Sequence, residues 1–323
     1  MRAFLVGLLV TAGFAAVWPA ASSAYVGCTH SAGTLRVFAT TDEDRVTVSR
    51  GGDAINVIGK DQGGDLSILL ACSGGDPTVT NTDLIAIENA ETDFSVGAMI
   101  DLGGGPLAPG ATPEADGSSE IEISARATGT YGLLGVSGGP GADAFDLGRS
   151  AGGALAVNLN AEAETAAPDP DLELVGREML IVFGRKGADQ IRAQGTPGFS
   201  GPFGAAFVGV GGQGADTIGG GTRLNLLRGG GGRDRLFGSV GRDLVLAGGG
   251  ADRVVTGPGA DLVLAKGGGR DKVNCGGGLD LALIDRDDKG RSCRRDDLRD
   301  VKLELSEPIE AAFAASFEFD GYD

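Results

Sequence analysis

Counting by nines from Asp216 reaches Asn225, Asp234, Asp243, Asp252 and Asp261; one extra residue precedes Asp271, and nine more reach Asp280. Two positions beyond each stands a mostly branched apolar residue: Ile218, Leu227, Leu236, Val245, Val254, Val263, Val273 and Ala282. The two ladders keep one phase. A fixed short period is the mark of a solenoid, because each unit is too small to bury a face alone and must stack on its neighbours. A nine-residue unit of one turn and one three-residue strand is the period of a parallel β-roll. Less regular copies come earlier, as "GGPGADAFD" around Asp143 and "GRKGADQIR" around Asp189.

Glycine sets the rest of the chain's character. There are 59 among 323 residues, well over twice the roughly 7% of average usage. Glycine loses the most freedom on folding and buries no side chain, so stability must come from elsewhere. Aromatics are only 5%, which rules out a bulky aromatic core. The formal net charge of −17 argues against nucleic acid and anionic membranes as partners and leaves cations as natural counterparts. Within residues 211 to 300, however, 13 Asp face 15 Lys and Arg. The acidity therefore lies outside the repeats, where Arg233, Arg235, Arg242, Arg253 and Arg270 flank the aspartates and read as spread along the turns.

Residues 1–24 read as a secretory signal: Arg2, the apolar run "AFLVGLLVTAGFAAV", Pro19 and the small residues "SSA" before cleavage at Ala24. The run is shorter than the ~20 residues needed to span a bilayer, and no later stretch reaches that length, so membrane insertion is not expected. A lipidated Cys28 is disfavoured because Tyr25 stands where such signals usually carry leucine. The four cysteines suggest two disulfides in an exported chain. Cys28 with Cys72 and Cys275 with Cys293 needs only local closure, although four cysteines allow three connectivities. No CxxC spacing is present, which argues against zinc.

From about residue 25 to 135 the chain alternates short runs such as "TLRVFA", "RVTVSR", "LSILLA", "LIAIEN" and "EIEISAR" with glycine, aspartate and asparagine, the pattern of strands divided by turns. "LGGGPLAPGATPEADGSSE" and "AEAETAAPDPDLE" read as loops. Only "EPIEAAFAASFEF", near the C-terminus, has a helical look.

The pattern G-G-x-G-x-D-x-U-x in "GGQGADTIG", "GGGGRDRLF" and "GGPGADAFD" resembles the haemolysin-type (RTX-like) calcium-binding repeat of secreted bacterial proteins, strongly over residues 211 to 283. In the geometry this resemblance implies, each hexad is a turn, the next three residues are a strand, and two repeats complete one coil. Asp216, Asp234, Asp252 and Asp271 then share one edge, and Asn225, Asp243, Asp261 and Asp280 the other. Calcium takes six to eight oxygens at about 2.3 to 2.6 Å with tolerant geometry, which suits aspartates stacked beside glycine carbonyls; magnesium is too strict. The implied ligands are Asp143, Asp189, Asp216, Asp234, Asp243, Asp252, Asp261, Asp271 and Asp280. Turn oxygens would come from Gly211, Gly212, Gly214, Gly229, Gly230, Gly232, Gly241, Gly250 and Gly259. Sites at Asn225, which lacks a charge and follows Arg223, and at Asp280 are expected to be the weakest. One branched residue per nine buries too little to offset ordering nine backbones, so ion binding is expected to be coupled to folding.

Other signals are weaker. "GVGGQG" at 209 to 214 matches the dinucleotide fingerprint but lacks a following helix. "DRDDKGRSCRRD" at 285 to 296 imitates an EF-hand loop with Lys289 at a ligand position, and reads as a charged cap held by Cys275 and Cys293. His30 is the only histidine, so a serine or cysteine nucleophile would lack its usual base. A cytolytic toxin would need a long apolar region that the chain lacks.

The expectation is an all-β chain: a signal peptide (1–24), an irregular N-terminal β region (25–135) that is either separate or the first coils of the solenoid, a parallel β-roll or β-helix solenoid (136–300), and a capping tail (301–323). Its function reads as secreted, extracellular and non-catalytic calcium binding, with extracellular matrix or cell-surface polysaccharide as candidate partner. The alternative is a parallel β-helix enzyme acting on acidic polysaccharide, a lyase or epimerase, marked by Lys, Arg and Asp clustered on the outer face of one strand stack.

Overall fold

The computed structural model describes residues 26–39, 46–60, 67–89, 97–108, 110–112, 121–127, 133–159, 170–176, 179–196 and 199–294. The signal segment, the C-terminal tail with its helix-like stretch and parts of the two proline-containing loops lie outside these residues. Among the described residues there is no helix. Two sheets, of thirteen and eleven strands, face each other, and a two-stranded ladder joins Pro258–Gly259 to Gly277–Gly278.

The repeats build the sheets in alternation. In the larger sheet, Gln190–Arg192, Thr217–Gly219, Arg235–Phe237, Arg253–Val255, Lys272–Asn274 and Lys289–Arg291 stack in parallel. In the other sheet, Met179–Lys186, Ala206–Gln213, Asn225–Gly231, Asp243–Gly249, Leu262–Ala265 and Leu281–Ile284 do the same. Each coil takes one strand from each, so two repeats make one turn of a parallel β-roll. The residue inserted before Asp271 does not break the register, since Val254 still faces Val273 and Val263 still faces Ala282.

Strands from the N-terminal region join the same sheets. Thr34–Ala39, Leu84–Asn89, Glu122–Ala127 and Leu172–Val175 stack in parallel, with two rows pointing inward: Leu35, Ile85, Ile123 and Leu172, and Val37, Ile87, Ala125 and Leu174. These belong to one buried cluster that runs on through Ile218, Leu236, Val254 and Val273. The β-branched and aliphatic residues that alternate along these strands suit a pleated surface buried on one side. Cys28 bonds Cys72, and Cys275 bonds Cys293.

Burial exceeds one side chain per repeat. On the eleven-stranded sheet the flanking positions are apolar too, and Ile181, Val208, Leu226 and Leu244 form a second buried cluster on its other face. The core is therefore larger than one residue per repeat at the phase of Leu227 and Val245, because "DLVL" strands are apolar on both faces.

Candidate metal centre

Each repeat ends its turn on an aspartate whose side chain folds back under the neighbouring coil. Along one edge the backbone N–H of every such residue donates to the carboxylate of its counterpart one coil further on. Asp143 donates to Asp189 at 2.8 Å, Asp189 to Asp216 at 2.8 Å, Asp216 to Asp234 at 2.9 Å and Asp234 to Asp252 at 2.9 Å. Asp252 donates to Asp271 and Asp271 to Asp288, at 2.8 and 2.9 Å. On the opposite edge Asn225 donates to Asp243 at 3.2 Å, Asp243 to Asp261 at 2.9 Å and Asp261 to Asp280 at 3.1 Å. In every case the acceptor is Oδ1.

The second oxygen is left over. Oδ2 of Asp189, Asp216, Asp234, Asp252, Asp261, Asp271 and Asp280 is buried with no hydrogen-bond partner. A buried carboxylate oxygen without a partner costs free energy unless a proton or a cation meets it. Burial pushes Asp189 and Asp234 toward the neutral form, up to about 7, with their stacked neighbours adding to the rise and backbone N–H donors opposing it. Asp243 and Asp271 are raised to about 6, and Asp143, Asp216, Asp252 and Asp261 are raised too, in each case first by burial.

The turn glycines stand against these oxygens. A β-carbon on Gly184, Gly211 or Gly229 would collide with Oδ2 of Asp189, Asp216 or Asp234, and with the carbonyl oxygen of Gly211, Gly229 or Ala247 in the next coil. Gly214, Gly232 and Gly250 have positive φ, near 140°, and each lies against the carbonyl of its counterpart one coil back, of Gly187, Gly214 and Gly232 respectively. Gly212 and Gly230 likewise lie over the Arg185 and Gly212 carbonyls, and Gly259 over that of Gly241. Orphaned carboxylate oxygens and clustered carbonyls form an all-oxygen donor set, which is what a hard cation takes. Among the described residues no three carboxylate, imidazole or thiol groups converge, so such an ion would draw much of its coordination from the backbone.

Arginine does not take the cation's place. Arg233, Arg235, Arg242, Arg253 and Arg270 form no ion pair with a ladder aspartate among the described residues; the pairs found there join Arg50 to Asp53, Arg185 to Asp101 and Arg192 to Asp146. Nor are these bases uniformly spread along the turns. Arg235 and Arg253 open strands and face each other across the sheet, because the position just after the aspartate is the first outward-facing residue of the strand.

Asn225 behaves differently from the acids. Its amide nitrogen donates to Asp243 Oδ1 at 2.7 Å and to the carbonyls of Arg223 and Gly221 at 2.9 and 3.2 Å. An N–H donor thus meets the oxygens that lie around this turn. Asp243 Oδ2 accepts from the Ser239 N–H at 3.1 Å, and Asp143 Oδ2 from the Gly139 N–H at 2.8 Å.

Asp288 ends the first column and was not anticipated as a member. It accepts from Asp271 through Oδ1 and from the Asp285 N–H through Oδ2, at 2.6 Å. Its only signal was spacing, 17 residues past Asp271, and the apolar marker two positions on is absent because Gly290 stands there. The EF-hand imitation accordingly begins with the last turn of the ladder, residues 285 to 288, and continues into the strand Lys289–Arg291. "GVGGQG" lies at the end of a strand and is followed by another strand. His30 is buried, with Nε2 within hydrogen-bonding distance of the Asn81 carbonyl and the Thr82 hydroxyl.

Residues 210–245 and 228–263 match the family model of the RTX calcium-binding nonapeptide repeat, in four copies. No curated protein and no solved structure matches the chain.

Proposed function

Because residues 210–263 are RTX calcium-binding nonapeptide repeats in an all-β roll, we propose that the protein binds calcium between successive coils and uses it to hold the roll together. The ligands are the Oδ2 atoms of Asp189, Asp216, Asp234, Asp252 and Asp271 on one edge and of Asp261 and Asp280 on the other. Asp143 and Asp243 contribute at the margins, and turn carbonyls complete the shells. The supporting observation is the line of buried carboxylate oxygens without partners. When bound, the ion supplies the positive charge that these oxygens lack.

The role is structural and extracellular, with no catalytic step. Two disulfides suit an oxidising compartment, and extracellular modules work with dissociation constants of about 10⁻⁴ to 10⁻³ M. Among the described residues, those within 25–135 are the first coils and those within 136–300 the calcium-dependent ones. The competing reading, an enzyme on acidic polysaccharide, calls for acids beside bases on one outer strand face. The outward rows that begin at Arg235 and Phe237 carry bases and no carboxylate, which favours binding.

A metal count on purified protein, with and without Asp243→Ala and Asp261→Ala, tests the assignment. The double variant should lose about one ion or more. An unchanged count would remove those ligands from the proposal.

A further inference from the structure

The outer face of the thirteen-stranded sheet carries a feature that calcium binding does not use. Arg235 faces Arg253, Arg253 faces Lys272, and Lys272 faces Lys289, in one unbroken register across four parallel strands. All four are exposed. None makes an ion pair or side-chain hydrogen bond with another described residue. The adjacent outward row, Phe237, Val255, Asn274 and Arg291, adds a further base and no acid. Like charges directly opposite one another destabilise a sheet, so nothing within the fold accounts for the row.

We propose that this row is a docking strip for a linear acidic polysaccharide with one carboxylate per sugar, a partner class consistent with the extracellular role proposed above and resting on it for folded coils. Neighbouring strands stand about 4.7 to 4.9 Å apart, so the strip presents one cation per rung over three intervals. A 1,4-linked uronate chain advances by about one rung per sugar, and in an extended two-fold chain, where successive sugars turn opposite faces, alternate carboxylates fall opposite alternate cations. Duplex DNA carries a phosphate every ~3.4 Å along each strand, which falls out of step with the rungs. Half-buried Phe237 and Val255 lie alongside, giving the apolar faces of the sugar rings a surface to cover. The ladder aspartates precede these cations in sequence but are buried at the edge of the roll, so they do not interrupt the strip.

The test is titration calorimetry of the full-length calcium-loaded protein with polygalacturonate oligomers, and with a DNA duplex of equal charge. Arg253→Gln/Lys272→Gln should weaken polygalacturonate binding at least tenfold with the ion count and circular dichroism unchanged. Arg233→Gln/Arg242→Gln, which removes two bases beside the ladder aspartates, should change it less than twofold. Equal affinities for the wild type and the strip variant, no binding to a calcium-loaded folded protein, or tighter binding to DNA would overturn the strip. Binding by a folded protein that holds no calcium would support the strip and overturn the calcium reading alone.

Discussion

One row of the eleven-stranded sheet changes chemistry halfway along the molecule. In the N-terminal coils its inward residues are Val46, Ala98, Leu134, Leu180 and Phe207, each in register with the next. Beyond Phe207 the same row continues as Asn225 and Asp243, then Asp261 and Asp280 through their N–H to carboxylate bonds. The thirteen-stranded sheet narrows in parallel, from two inward residues per strand to one, Ile218, Leu236, Val254 and Val273. One backbone plan is thus stabilised in two ways. The first coils bury two apolar rows per sheet, whereas the repeat coils give up a row to carboxylates, and the proposed calcium would act at that edge. Phe203 and Phe207, packed edge to face with centroids 6.3 Å apart, close the apolar half where the change occurs.

The difference can be broken at either end. The largest effect should come from a chelator: limited proteolysis should then cut within residues 206–291 while the coils from 26 to 127 resist, and uniform cleavage would erase the distinction. Next, Ile85→Ala in the apolar half should lower stability by about 2 to 5 kcal/mol whether or not calcium is present, read by denaturant unfolding. Asp234→Asn should have opposite signs in the two conditions, destabilising by about 1 to 3 kcal/mol with calcium and stabilising without it, since it removes a buried charge.

Acidity supplies the fourth test. An unfolded aspartate titrates near pH 4, whereas Asp189 and Asp234 are raised to about 7. Between those values the folded coils hold more protons than the unfolded chain, so ion-free repeats should gain stability as pH falls from about 7 to about 4. A chelated sample should melt higher at pH 5 than at pH 8; an equal or lower midpoint would contradict the buried-charge account. The calcium-loaded form should respond in the reverse sense, because protons compete with the ion. The smallest effect is expected for Arg233→Gln, within about 0.5 kcal/mol, because this exposed side chain pairs with no ladder aspartate among the described residues.

The period of nine carried the roll, because stacking in register leaves strict spacing in the sequence, and the two-repeat coil implied by the family resemblance carried the assignment of aspartates to two edges. Local closure likewise pointed to both disulfides. What escaped were features set by register between coils that are not equally spaced. Asp143 and Asp189 are legible as repeat aspartates but their edge is not, because Asp143, Asp189 and Asp216 stand 46 and 27 residues apart, the first gap holding the extra strands Leu155–Asn158 and Leu172–Val175. Asp288 lacked its apolar marker. The cationic row was hidden for another reason: Arg235 and Arg253 adjoin turn residues in sequence, and only the strand register shows that they leave the turn and share a face.

Hydrogen exchange read residue by residue, with and without millimolar calcium, tests the central claim most directly. Calcium should slow exchange of the ladder amides of Asp216, Asp234, Asp252 and Asp271 and of the strands around them, while the strands from 26 to 127 exchange alike in both conditions. Identical exchange along residues 206–291 in the two samples would mean that the stacked carboxylates hold no ion that matters to the fold.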